Sequence, residues 1–283
     1  MYLLPNTNNE IPRELFCMLK DYSCMQNHEG CSPAIVFQCK KDEEELYLKI
    51  EQSTGDIKRE YDIMKWLSGR LPVPEIKYFD ECNGWSYLLM SAVKGYQAGT
   101  HDEVREPYEN TIKLLADGLL MFQSVDITDC PFEINDNVKF QNALDNFEMK
   151  FQKKFIDEIT HKYAEMEYIG QFQFGKQTDR PFDTPKEFCE WLIKNKPSPQ
   201  EEICFTHGDY GLTNTFIDGY KVTGFIDVGG GGISNKWHDI AVCVRSIGYH
   251  SKNIDEKHKY LDLFFKHLGI APDWDKINYH IWL

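Results

Sequence analysis

Phe205-Thr206-His207-Gly208-Asp209-Tyr210-Gly211-Leu212-Thr213-Asn214 runs on into Phe216-Ile217-Asp218-Gly219-Tyr220 and then Gly224-Phe225-Ile226-Asp227-Val228-Gly229. Three polar groups stand here at loop positions beside apolar, β-rich runs. Asp209 and Asn214 lie five apart on one loop, and Asp227 follows a β-run and precedes the four glycines 229–232, where backbone can come close to a ligand. A carboxylate beside an attacking hydroxyl can take its proton. A second carboxylate and an amide oxygen are the hard ligands that magnesium prefers. Taken singly, each has a plainer reading: an Asp after Gly is a turn former, and Asp227 is a strand-end cap.

Working outward, the first ninety residues alternate short β-rich runs with one helix, and the chain after about Gly99 is mostly helical apart from 203–227. Residues 34–39 and 45–50 read as two strands joined by a charged turn over 40–44. Residues 56–69 place Ile57, Tyr61, Met64 and Leu67 on one helical face, with Lys58, Arg59, Asp62 and Lys65 round the back. Glu60 breaks the pattern, because it falls ~60° from Ile57 and is the only charge on the apolar face. A buried carboxylate needs a cation, and Lys49, at the end of the preceding strand, is the natural one. Residues 76–79 and 85–93 flank Asn83-Gly84 and read as a second hairpin. The glycine-containing 94–99 follows as a hinge, and 107–125, 138–168 and 185–194 carry helical periodicity.

With these residues in view the sequence resembles the kinase-like small-molecule phosphotransferases, most closely the aminoglycoside 3'-phosphotransferases. The resemblance runs through Gly30-Cys31-Ser32-Pro33-Ala34, Leu46-Tyr47-Leu48-Lys49, Arg59-Glu60, Leu71-Pro72-Val73-Pro74, residues 85–91, His207-Gly208-Asp209 with Asn214, Gly224-Phe225-Ile226-Asp227, and Lys236-Trp237-His238-Asp239-Ile240-Ala241. It implies an α+β, bilobal, protein-kinase-like fold, with a small β-rich N-terminal lobe and a larger, mostly helical C-terminal lobe. The expected division is a nucleotide-binding lobe over 1–92, a hinge over 93–99 and a catalytic and substrate-binding lobe over 100–283. The resemblance further implies that Lys49, oriented by Glu60, holds the α- and β-phosphates of ATP or another nucleoside triphosphate. Asp209 is the implied catalytic base, and Asn214 and Asp227 the implied Mg2+ ligands. Tyr47 lies against the adenine, the backbone at Ser91 and Val93 reads its edge, and Ser32 sits in the loop over the phosphates. His207 and Asp239 are expected to hold the catalytic loop, and Trp237 to be core.

The substrate side departs from the family pattern. In the aminoglycoside enzymes an acidic loop ahead of the catalytic segment meets the drug's ammonium groups. The matching stretch here, Lys176-Gln177-Thr178-Asp179-Arg180-Pro181-Phe182, keeps only Asp179 and adds two bases. Gly230 stands where an arginine is expected, and Gly248-Tyr249-His250 follows Ile247, where some relatives are acidic. The leading expectation is a phosphotransferase acting on a cationic small-molecule acceptor, an aminoglycoside. The alternatives are a kinase of another small hydroxyl compound, a sugar or amino alcohol, and a nucleotide-binding relative without turnover.

Composition narrows the partners. With 31 Lys+Arg against 45 Asp+Glu the net charge is −14, which suits a cationic ligand and disfavours nucleic acid, whose phosphates need a basic face. No apolar run reaches the ~18 residues of a membrane span, and the start lacks the basic and apolar regions of a signal peptide. The nine cysteines are odd in number and contain no C-x-x-C, so reduced thiols are expected. A cytoplasmic monomer follows as the expectation.

Overall fold

The computed structural model describes residues 11–27, 34–100, 108–134, 185–196 and 202–282. Ser32, Asp179, the 138–168 helix and the 170–183 loop therefore lie outside the described residues. The chain divides into two compact units, residues 1–95 with 223–230 and residues 96–222 with 231–283.

In the first unit, α1 (Arg13–Leu19) leads into a five-stranded antiparallel sheet of order β1-β2-β3-β5-β4. Its strands are β1 (Ser23–Asn27), β2 (Ile35–Lys41), β3 (Glu44–Gln52), β4 (Ile76–Cys82) and β5 (Trp85–Ser91). The period-two pattern of β3 sorts its side chains. Leu46, Leu48 and Ile50 are buried with Leu15, Leu19, Phe37 and Leu89, so Tyr47, Lys49 and Glu51 point to the other face. The turn after β2 is shorter than the sequence suggests, with Lys41 already opposite Glu44 and Asp42 at φ +50°. Asn83 and Gly84 both take positive φ (+52° and +78°), which the two-residue turn of the β4–β5 hairpin requires.

β1 puts Cys24 opposite Cys39 in register, and the two form a disulfide with Cα atoms 4.0 Å apart. This corrects the expectation that every cysteine is a free thiol. An odd count excludes complete pairing but leaves room for one bridge, and the mixed sequence Ser23-Cys24-Met25-Gln26-Asn27 gives no alternation that announces the strand.

The helix expected over 56–69 is α2 (Asp56–Leu67), which buries Ile57, Glu60, Ile63, Met64 and Leu67. Its N-terminus has no cap from Gly55. Glu51, itself buried, accepts the Ile57 N–H at 2.7 Å and answers one of the orphan donors of that end.

Residues 223–230 complete the unit. Phe225 N–H donates to Pro72 O at 2.9 Å, and Gly224 lies so close that an added Cβ would sit 2.6 Å from Val93 Cγ1 and 2.9 Å from the Pro72 carbonyl oxygen. The carbonyl belongs to backbone and has to move. Gly224→Ala is therefore expected to cost about 1–3 kcal/mol by overpacking, read as a lower midpoint in thermal or denaturant unfolding; an unchanged midpoint would contradict the close approach.

In the second unit α3 (Tyr108–Gln123) buries Ile112, Leu115, Leu119 and Phe122, and β6 (Tyr96–Gln97) pairs antiparallel with β8 (Thr215–Asp218). Helix α4 (Pro185–Asn195) precedes β7 (Ile203–Thr206), β9 (Lys221–Phe225) begins in this unit and continues into the segment 223–230 of the first, and β10 (Gly232–Asn235) pairs antiparallel with β7. Three helices follow: α5 (Trp237–His250), α6 (Ile254–Leu268) and α7 (Trp274–Trp282). Asn253 caps α6 by accepting the Glu256 N–H at 2.9 Å, and Gly269 ends it at φ +74°. Tyr108 and Tyr260 meet edge to face with ring centroids 4.9 Å apart, and α3 is tied to α6 by Asp117–His267 at 2.8 Å. Trp237 is buried, as expected, and its indole N–H donates to Glu202, which also accepts from Lys276 at 2.6 Å. Among the described residues no helix is long and apolar enough to cross a membrane.

Candidate active site

The candidate residues fall into two sets, one in each unit. In the first, Lys49 projects from β3 onto the face away from the Leu46–Leu48–Ile50 cluster, and Glu60 reaches it from the second turn of α2. The ammonium nitrogen lies 2.8 and 2.9 Å from the two oxygens of Glu60 and also pairs with Asp227 Oδ1. Glu60 is 6 % exposed, so the odd charge on the helix's apolar face is a buried ion-pair member. Burial alone lowers the Lys49 pKa, but the charges of Glu60 and Asp227 together outweigh it and raise the pKa above the usual lysine range. Asp227 has φ +58°, in the left-handed region that Asp tolerates better than most residues, and its side chain is about half exposed.

Tyr47 shares the face of Lys49. Its hydroxyl donates to Glu45 Oε1 at 2.8 Å and accepts from Gln38 Nε2 at 3.2 Å. Burial raises the Glu45 pKa, but hydrogen bonds from Gln38 and Tyr47 and the charge of Lys40 hold it below the ordinary carboxylate range, so this anchor for Tyr47 stays ionised. At the end of β5, Ser91 N–H is spent on Glu75 O at 2.9 Å, and Ala92 N–H on Glu45 O at 3.0 Å. Val93 is the next residue, and among the described residues its N–H and C=O take part in no hydrogen bond.

In the second unit, the loop after β7 is held from α5. Asp239 accepts the N–H groups of His207 at 2.6 Å and Gly208 at 2.9 Å, and Ser246 Oγ accepts the Leu212 N–H at 3.0 Å. His207, fully buried, accepts the Asp209 N–H on Nδ1 at 3.2 Å. Gly208 turns the chain at φ +89°, and His238 Nε2 lies 3.1 Å from its oxygen. Tyr210, buried beside Phe122, donates to Leu115 O at 2.6 Å. With its backbone fixed on both sides, Asp209 shows its carboxylate to solvent, 65 % exposed. Asn214 Nδ2 donates to Asp209 O at 2.9 Å and Oδ2 at 3.1 Å, which turns Oδ1 of Asn214 away, and Arg245 Nη2 stands 3.9 Å from Asp209 Oδ1.

The sequence pairs Lys49 with Glu60, sets Asp227 beside Asn214 in the C-terminal lobe and gives Asp239 and His207 bracing parts. The structure keeps the Lys49–Glu60 pair and the bracing, but sets Asp227 with Lys49 and Glu60 in the first unit, and Asp209 with Asn214 in the second. Sequence reasoning missed Arg59, which it set on the back of α2 and which donates from Nε to Gly229 O at 3.0 Å. It also missed Glu51, Ser246 and Arg245. The Arg245 side chain had a legible signal, the one charge within the mostly apolar 240–247 run.

The profile of a phosphotransferase enzyme family matches residues 23–278. An aminoglycoside 3'-phosphotransferase of Enterococcus faecalis is 38% identical over 284 residues, covering 96% of this chain and 97% of that protein. One of Staphylococcus aureus has the same identity and coverage. Among solved structures, an aminoglycoside phosphotransferase from Streptomyces rimosus superposes with a TM-score of 0.72 at 20% identity over 95% of this chain and 94% of its own. The same enzyme in complex with ADP and streptomycin gives 0.70 at 19% identity, over 96% of this chain and 97% of that one. That likeness shows the protein-kinase-like fold, a β-rich N-terminal part followed by a helical C-terminal part. With its full-length relatives at 38% identity and the family profile over most of its length, this chain belongs to the phosphotransferase enzyme family and, within it, to the aminoglycoside 3'-phosphotransferases.

Proposed function

We propose that this chain moves the γ-phosphate of ATP to a hydroxyl of an aminoglycoside. The observation that carries the reading is Asp209: an exposed carboxylate on a loop otherwise fixed by Asp239, His207 and Ser246, as a base that must meet an incoming hydroxyl needs to be. In this reading Asp209 takes the hydroxyl proton as the acceptor oxygen bonds to the γ-phosphorus and the bond to the β–γ bridging oxygen breaks, leaving ADP. Lys49, held by Glu60, positions the α- and β-phosphates. Tyr47 lies against the adenine, the free N–H and C=O of Val93 with the Ser91 carbonyl read its edge, and Ser32 belongs to the loop over the phosphates.

The donors suit Mg2+. The Asp227 carboxylate and the Asn214 Oδ1 that points away from Asp209 are hard oxygens of the kind this ion selects, with no soft ligand between them in the set. When bound, Mg2+ neutralises charge on the β- and γ-phosphates. Asn214 also restrains Asp209, so one residue serves metal and base.

The acceptor is read as polycationic, because the chain's charge of −14 attracts ammonium groups and Asp179 is a surviving carboxylate of the substrate loop. The chain works in the cytoplasm as a monomer in this reading. A second reading, a kinase of an amino alcohol or sugar, is favoured by Lys176 and Arg180 beside Asp179. Phosphorylation rates across aminoglycosides, amino alcohols and uncharged sugars separate the two. A polycationic aminoglycoside is expected to have the highest kcat/KM, with a KM that rises as salt shortens the Debye length to about 8 Å at 0.15 M. An uncharged sugar turned over as efficiently would reverse the assignment.

A further inference from the structure

Consecutive helical side chains leave the axis ~100° apart, so Arg59 and Glu60 cannot serve one partner. Glu60 goes to Lys49, and Arg59 Nε donates to Gly229 O at 3.0 Å. Two residues before Gly229 stands Asp227, at φ +58°. The four glycines 229–232 that follow carry more backbone freedom than any other residue type. A carboxylate at the head of such a run gains little restraint from the residues that follow it; Lys49 of β3 pairs with its Oδ1, and the backbone beyond it needs a rigid element of its own.

Helix α2 is that element. The turn Val228–Gly230 packs against it, and Gly229 approaches so closely that an added Cβ would lie 3.3 Å from Glu60 Cβ. At that contact Arg59 makes a charge-assisted bond to a carbonyl, stronger than a neutral one.

We propose that Arg59 is a positioning residue: by holding the Gly229 carbonyl it fixes the loop that presents Asp227, so that one turn of α2 sets both the phosphate-holding lysine and the metal-holding aspartate. The proposal rests on the reading of Asp227 as a Mg2+ ligand.

The test uses the full chain and equilibrium binding of the non-hydrolysable nucleotide AMP-PNP by calorimetry, with and without Mg2+. Arg59→Met keeps the length of the stem and removes the donor; Arg59→Gln is the second variant should the first fail to fold. The expected result is metal-free affinity within about 2-fold of the parent and a Mg2+-dependent gain in affinity smaller by about 5–10-fold, the order of one hydrogen bond. Arg59→Lys, which keeps a charged donor, is expected to recover part of that gain. An undiminished gain in both Arg59→Met and Arg59→Gln overturns the proposal, as does a loss that is equal with and without metal, the mark of general damage. Asp227→Asn in the same titration separates the layers. If it keeps the full gain, the reading of Asp227 falls and the role of Arg59 with it; if it loses the gain while the Arg59 variants keep theirs, only the role of Arg59 falls.

Discussion

Asp209→Asn is expected to lower kcat by about 10²–10⁴-fold, the usual contribution of a positioned general base, with the affinity for nucleotide nearly unchanged. The substitution keeps the outline of the side chain. An amide oxygen still accepts from Asn214 Nδ2, now 3.1 Å from Asp209 Oδ2, and the main-chain bonds to Asp239 and His207 do not involve the side chain. Loss of proton-accepting capacity is then the principal change, joined by the loss of the charge facing Arg245. Rapid-mix measurement of the phosphorylated acceptor at saturating substrates is the check, and an Asn variant with most of the parent's rate would remove Asp209 from the role of base.

The second large effect concerns the trio Lys49, Glu60 and Asp227. Asp227→Ala is expected to abolish Mg2+-dependent turnover, and Lys49→Ala to cost both phosphate positioning and stability. The stability cost follows from burial. Removing Lys49 leaves Glu60, 6 % exposed, without its principal cation, and breaking a buried pair costs about 3–5 kcal/mol. Because the two residues act as a unit, Lys49→Ala/Glu60→Ala is expected to lose less than the sum of the single losses, in activity and in unfolding free energy alike. Additive losses would show that they are not coupled.

The pH dependence has a definite sign. The Lys49 pKa is raised in the folded chain, so the protonated form is the one that folding favours. Its contribution is fully present below the unfolded lysine value of about 10.4 and is lost as pH rises beyond that, through the higher folded value. Unfolding free energy of the parent minus that of Lys49→Ala is therefore expected to be flat through neutrality and to shrink only in strong alkali. A difference that shrank between pH 6 and 8 would point to another group.

What the sequence showed and what it hid have a common cause. Glu60 was legible because a helix records its own apolar face, and a lone carboxylate on that face asks for a cation nearby. The β4–β5 turn was legible because Asn83-Gly84 is itself the conformational requirement. Arg59 was misplaced for the same reason that Glu60 was found. A helical wheel knows which side of α2 is apolar, but not that a loop from 170 positions later packs beside Glu60 and offers a carbonyl to Arg59. The Cys24–Cys39 bridge was hidden by register, which depends on a strand that has no alternation to declare it. Ser246 and Glu51 each accept a main-chain N–H, and no residue type or spacing marks such a bond in advance.

The first unit closes only when residues 223–230 join residues 1–95, and this bears on how the protein is made. A nascent chain that has just emerged past residue 95 has every strand of the five-stranded sheet but lacks the segment whose Phe225 bonds to Pro72 and whose Gly229 lies on α2. It must wait for most of the second unit to be synthesised. At the ~5–20 residues per second of synthesis, that interval lasts on the order of ten seconds. During that time the surface that residues 223–230 will cover stands open, and the late segment has to find it by closing a long chain loop, the kind of non-local pairing that slows folding.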